Sequence, residues 1–182
     1  MKKITALLLI YSCSITFTYA QKYVTRTGSI SFFSEAPLEN IEAYNNQVSG
    51  IVDLETGGMA FTVLMKAFIF EKALMQEHFN EKYVESHKYP KATFKGNIMD
   101  FDSFQPGSEQ EEIKVSGKLT IHGITKEVTV NGTLKKDTNG NLEGKSVFNI
   151  NLQDYEIKVP SAVRKNIADN IEIKVNMLYE EM

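Results

Sequence analysis

The strongest constraint on this chain is a two-residue alternation of apolar and polar side chains that recurs along most of its length. In Glu127–Leu134, Val128, Val130, Gly132 and Leu134 share one phase; Glu127, Thr129, Asn131 and Thr133 share the other. Ile113, Val115, Gly117, Leu119 and Ile121 repeat the pattern, as do Ile171, Ile173, Val175, Met177 and Tyr179. Successive side chains of an extended strand point to opposite faces, so this spacing describes strands with one buried face.

Eight strands are expected, near residues 22–34, 47–55, 58–69, 91–102, 111–122, 125–136, 142–154 and 170–180. Turn signals at Gly57-Gly58, Pro106-Gly107-Ser108 and Asn139-Gly140 separate several of them. Two segments lose the alternation. Pro37–Asn45 reads as a short helix with Pro37 in its first turn. Glu71–Ser86 reads as a longer one, with Leu74, Met75, His78, Phe79 and Tyr83 on one stripe. Long antiparallel strands expose adhesive edges unless the sheet closes. The expected fold class is therefore all-β: an eight-stranded antiparallel β-barrel with one or two short helices, roughly 25 Å tall. An outer-membrane barrel would turn its apolar phase outward. The two helices, the many Lys and Glu on the polar phase and the lack of aromatic girdles favour a barrel that does not span a membrane.

The 182 residues fit one domain, and 20 basic against 23 acidic residues give a net charge of −3. No basic footprint for nucleic acid exists. The N-terminus reads separately from the rest. Met1-Lys2-Lys3 is positive, Ile4–Ile15 is largely apolar, and Thr18-Tyr19-Ala20 offers small residues before a cut. This is the secretory signal pattern. Residues 1–20 are thus expected to be a signal peptide and 21–182 the barrel domain, periplasmic or secreted. The rival is lipidation at Cys13, to which Tyr11 is a poor flank. Loss of 20 of the 182 residues leaves 162, removes two lysines and moves the charge to −5. It also removes the single cysteine, and with it any disulfide, thiolate nucleophile or thiolate metal site.

Six glycines, Gly28, Gly50, Gly96, Gly117, Gly132 and Gly144, fall in the apolar phase of their strands. Either they relieve strain where barrel strands bend, or they leave inward volume empty for a ligand.

Leu119-Thr120-Ile121-His122-Gly123-Ile124-Thr125-Lys126 resembles the "LTIHGVTK" hairpin of YceI-like proteins. Tyr89-Pro90-Lys91-Ala92-Thr93-Phe94 resembles the start of that family's "yPxaxF" strand, and the last strand after Ile167-Ala168-Asp169-Asn170 also fits. The chain departs from the family at Tyr23–Gly28, where many members carry Asp-His-Ser. It departs again at Asn149–Glu156, where Leu152 and Glu156 replace an Arg and a Gly. The resemblance implies a lipocalin-like barrel whose apolar cavity holds a polyisoprenoid lipid or a quinone tail. The ligand-binding walls would then be Phe61, Val63, Phe94, Ile98, Val115, Leu119, Val128, Val130, Phe148 and Ile173, all from apolar strand phases.

Little else in the sequence carries chemistry. His78, His87 and His122 form no His-x-His or His-x-x-x-His pair, so no metal site is expected. His78 is read as a packing residue, His87 as a helix-end charge and His122 as a turn-stabilising hydrogen-bond partner. Ser116 and Ser161 lack a nucleophile elbow, Glu111-Glu112 and Glu180-Glu181 read as solvated, and no phosphate loop or dinucleotide fingerprint occurs. The expected protein is a lipid carrier, without a cofactor and not an enzyme. The alternatives are a structural or protein-interaction barrel with a filled core and, more weakly, a lipid hydrolase.

Overall fold

The computed structural model describes residues 22–103 and 106–182. The predicted signal peptide, Cys13 and the cut after Ala20 lie outside the described residues. Among the described residues nine strands form: β1 (Lys22–Glu35), β2 (Asn40–Asp53), β3 (Gly58–Leu64), β4 (Ile69–Phe70), β5 (Lys91–Ile98), β6 (Glu111–Ile121), β7 (Ile124–Lys136), β8 (Leu142–Asn151) and β9 (Asn170–Glu181). All pairings are antiparallel, in the order β1-β9-β8-β7-β6-β5-β3-β2, and β2 pairs back onto β1. Eight strands thus close a barrel. The two-residue β4 is a short extra rung on β2, through Ala43↔Phe70 and Tyr44↔Ile69.

The expected 58–69 strand breaks after Leu64, the 91–102 strand ends at Ile98, and one expected helix does not form. Pro37–Asn45 is not a helix; from Asn40 it is the first half of β2. Ile41, Ala43 and Asn45 alternate toward the interior, after which the phase slips. Gly28 faces Val48 but Ile30 faces Asn45, so Asn46 and Gln47 together oppose Ser29 alone. This β-bulge is pinned by Asn45, whose Oδ1 accepts from Gln47 N–H at 2.9 Å. The extra residue inverts the side-chain phase and hides a single 14-residue strand from a period-two reading.

The Glu71–Ser86 helix is real but shorter. An α-helix, α1 (Ala73–His78), continues into a wide turn at Phe79–Tyr83, where Val84 N–H donates to Phe79 O. Met75, His78, Phe79 and Tyr83 face the barrel mouth, whereas Leu74 is exposed.

One end of the barrel is filled. Tyr23, Val48, Val52, Leu134, Leu142 and Tyr179 are fully buried there. The Tyr179 ring lies between two glycines: a Cβ on Gly50 or Gly144 would meet it at 3.3 or 3.4 Å. Burial pushes its phenol well above the ordinary tyrosine range. On β5 and β6, Gly96 faces Gly117 so closely that a Cβ on Gly96 would sit 2.8 Å from Gly117 Cα. Gly50, Gly96 and Gly117 make room for rings and backbone, whereas Gly144 also borders an interior void.

Candidate ligand-binding site

Toward the other end the barrel is hollow. A chamber of about 330 Å³ lies beneath α1, and a second void of about 110 Å³ lies deeper. Ile30, Val63, Ala92, Leu119 and Phe148 line both, so the two adjoin. The chamber's volume falls at the lower edge of the range for small-molecule sites. Its wall is hydrocarbon apart from a few groups, chiefly Ser34, Glu39, His78, Tyr83 and Asn166.

Four rings dominate the upper wall. Phe32 of β1 stacks on Phe79 with centroids 5.5 Å apart, and Phe68 and Phe70 meet Phe32 at 5.3 and 5.6 Å. Phe79 also touches Phe70 at 5.0 Å and Phe68 at 5.5 Å. Tertiary packing gathers them. After Leu64 a tight turn at Met65–Ala67 swings the chain away from β5, so Phe68 and then Phe70 of β4 come to lie beside β1 and β2. The buried Asn45 amide bridges the step by donating to Leu64 O at 2.9 Å.

At the mouth, three segments are laced together. Glu39 pairs with Lys72 at 2.7 Å and accepts from Asn166 Nδ2 at 3.4 Å. Leu38 N–H donates to Lys165 O, and Ala168 N–H donates to Ser34 Oγ. The Lys72 ammonium holds the Glu39 carboxyl below the usual range against the opposing pull of burial, with a lesser contribution from Asn166.

The sequence-predicted walls distribute as follows. Val63, Leu119 and Phe148 border both voids, and Ile173 borders the chamber. Phe61, Phe94, Val115, Val128 and Val130 border the deeper void, where Phe61 and Phe94 stack at 5.7 Å. Ile98 borders neither; it is packed in the core. The sequence reading missed Phe32, Phe68 and Phe70 as walls. It found Met75 and Phe79 only as a helix stripe.

His122 does more than steady a turn. With Gly123 it forms the two-residue connection of β6 and β7, both residues at positive φ (51° and 76°), the twist such hairpins need. Its Nδ1 lies 3.1 Å from Tyr155 O and its Nε2 3.0 Å from Glu85 Oε2, and Tyr89 packs edge-on at 4.7 Å. The imidazole thus ties the hairpin to the loop after α1 and to the turn after β8. Lys88 and then His122 hold the Glu85 carboxyl below its usual range. Among the described residues no group of three His, Cys, Asp or Glu converges as a metal site would require.

The sequence pattern of the YceI-like domain matches residues 15–178. This chain belongs to the YceI-like family. No curated protein sequence matches it. Among solved structures, a polyisoprenoid binding domain from Saccharophagus degradans, implicated in plant cell wall breakdown, is similar with a TM-score of 0.76 at 13% identity. The match covers 90% of this chain and 100% of that one. Burkholderia cenocepacia BcnA is similar at 0.69 and 21% identity, over 84% of this chain and 96% of that one. The Campylobacter jejuni YceI protein is similar at 0.62 and 16% identity, over 81% and 88%. At these identities the likeness shows the fold. In this YceI-like chain the Leu119–Lys126 motif that signals the family is the hairpin carrying the His122 clamp.

Proposed function

We propose that this YceI-like protein is an extracytoplasmic carrier that holds a polyisoprenoid, or another long apolar chain such as a quinone tail, along the barrel axis. One observation carries the reading: two adjoining interior voids whose walls are almost entirely hydrocarbon. A filled interaction barrel has no use for such a void. The similar domain from Saccharophagus degradans is described as polyisoprenoid binding, which supports the ligand class. The charge–apolar–small pattern of residues 1–20 supports export.

Hydrocarbon burial alone is adequate for binding. Covering ~500 Å² of chain at ~25 cal/mol per Å² gives about 12 kcal/mol gross. Ordering the chain and losing its free motion remove several kcal/mol, which leaves affinity near micromolar or tighter. The chemistry needed is shape and dryness, and Ser34, the hydroxyl nearest the mouth ties, is already engaged by Ala168 N–H. The test is mass spectrometry of an organic extract from gently purified protein, together with titration of a dansyl-labelled farnesyl chain. An isoprenoid mass and saturable fluorescence are expected. Protein that carries no apolar molecule and takes up no farnesyl probe overturns the reading.

A further inference from the structure

The barrel wall is not paired all the way round. β7 and β8 share a ladder only from Lys136↔Leu142 to Gly132↔Ser146. Beyond that point both strands run on, β7 to Ile124 and β8 to Asn151, each paired only with its outer neighbour, β6 or β9. The last tie before they part is Ser146 Oγ, which donates to Asn131 O at 2.6 Å. At the far end the gap is closed by His122 against Tyr155 O. The result is a bounded slot in the wall. Its edges are Val128 and Val130 on β7 and Phe148 and Ile150 on β8, all half-buried.

The same four residues line the voids: Val128 and Val130 the deeper one, Ile150 the chamber, Phe148 both. An unpaired stretch of sheet normally costs its backbone hydrogen bonds and invites pairing with other strands. Here that stretch lies beside the hollow region. The mouth is crossed by the Glu39, Leu38 and Ser34 ties, and past the deeper void Tyr23, Val52 and Leu142 are fully buried. At the step between β3 and β4, the Asn45 amide fills the break in pairing. Exposed side chains flanking the slot are Thr125, Lys126, Glu127 and Thr129 on β7 and Val147 and Asn149 on β8, so the one lysine and one glutamate balance and nothing selects a charged head group.

We propose that the β7–β8 slot is a side portal through which a slender, neutral apolar chain enters and leaves the interior. The proposal rests on the lipid-carrier reading and adds the route. Thr129 and Asn149 would face each other if the Gly132↔Ser146 register continued, and both are exposed. The test uses the full chain with Cys13→Ser, Thr129→Cys and Asn149→Cys, bridged by a short bis-maleimide. Stopped-flow fluorescence of the dansyl-labelled farnesyl chain gives uptake and release rates.

Bridging the empty protein is expected to slow uptake about tenfold, and bridging the loaded protein to slow release to a similar degree. The final fluorescence should be unchanged. A bridged protein that exchanges the probe at the unbridged rate overturns the portal and leaves the mouth as the route. An unbridged protein that never takes up the probe defeats the carrier reading instead. A second variant guards against a bridge that disturbs folding. Phe148→Ala widens the slot and is expected to speed uptake severalfold; an uptake rate equal to wild type also overturns the portal.

Discussion

The two ends of the barrel are made from the same strands and the same alternation, yet one is solid and the other hollow. At the closed end Tyr23 faces Val52, Leu142 faces Tyr179, and glycines on β2 and β8 flank the Tyr179 ring. There the Tyr179 ring packs against glycines of two different strands, and its neighbours are fully buried. At the chamber end the inward residues include Val63, Ala92 and Leu119, and the wall is interrupted at β7–β8 and at the β3–β4 step. Its large rings come from the periphery and line the wall without crossing it. Inward apolar phase therefore does not by itself mean core. Whether a layer fills depends on ring size opposite glycine and on how completely the ladder closes.

The largest expected effect is at the closed end. Tyr179→Ala removes a fully buried ring with glycines on either side, neither of which can fill the space. A cost of about 3–5 kcal/mol is expected from urea denaturation. In the chamber, Phe79→Ala should cost less than half of that, because its ring is only partly buried and faces the larger void, while weakening farnesyl affinity severalfold. Equal stability losses at the two sites would erase the distinction between a solid and a hollow end.

Gly117→Ala comes next. Its new methyl would run into the Gly96 backbone, so a loss of about 1–3 kcal/mol is expected with little change in affinity once folded. Glycine substitution is therefore a poor way to plug the interior. Ala92→Leu is the better plug, since Ala92 borders both voids at their junction. It should abolish farnesyl uptake while shifting stability by about 1 kcal/mol. Full uptake by a folded Ala92→Leu protein would show that the two voids do not serve one chain.

What was legible in the sequence follows the same division. β6, β7 and β9 are uninterrupted alternations, and their bounds are read to within a residue or two. β2 was half lost because the bulge at Asn46-Gln47 flips its phase. Val63, Leu119 and Phe148 could be found as inward positions by phase alone. Phe32, Phe68 and Phe70 could not be found as one wall, because β1, β4 and the loop beside it converge only after the chain turns away at Met65–Ala67. Phase also cannot rank inward residues by whether an opposite side chain meets them. That is why Ile98, packed in the core, and Ile173, beside the chamber, looked alike. His122 was visible as a turn residue, but Glu85 lies 37 positions away and no local pattern links them.

The smallest effect belongs to that clamp, which holds the chamber end where the ladder does not. Glu85 accepts from Lys88 and His122, and Lys88 first, then His122, holds its carboxyl below the usual range in the folded protein. A depressed carboxyl contributes stability above its unfolded value, about 4.3 for glutamate, and that contribution fades as pH falls through the lower folded value. Glu85→Gln keeps an oxygen that can accept from His122 and removes only the charge. The variant should therefore melt slightly below wild type near neutral pH, and the two melting curves should converge as pH falls below about 4. The gap should also shrink in high salt, because Lys88 is exposed and its pairing with Glu85 is screened. A gap that persists unchanged into acid would mean that shape, not charge, holds the His122 hairpin against the loop after α1. Measuring farnesyl release over the same pH range then separates clamp from slot. Loosening the clamp frees the far edge of the β7–β8 gap, so release from Glu85→Gln should be faster than from wild type at neutral pH and equal to it in acid.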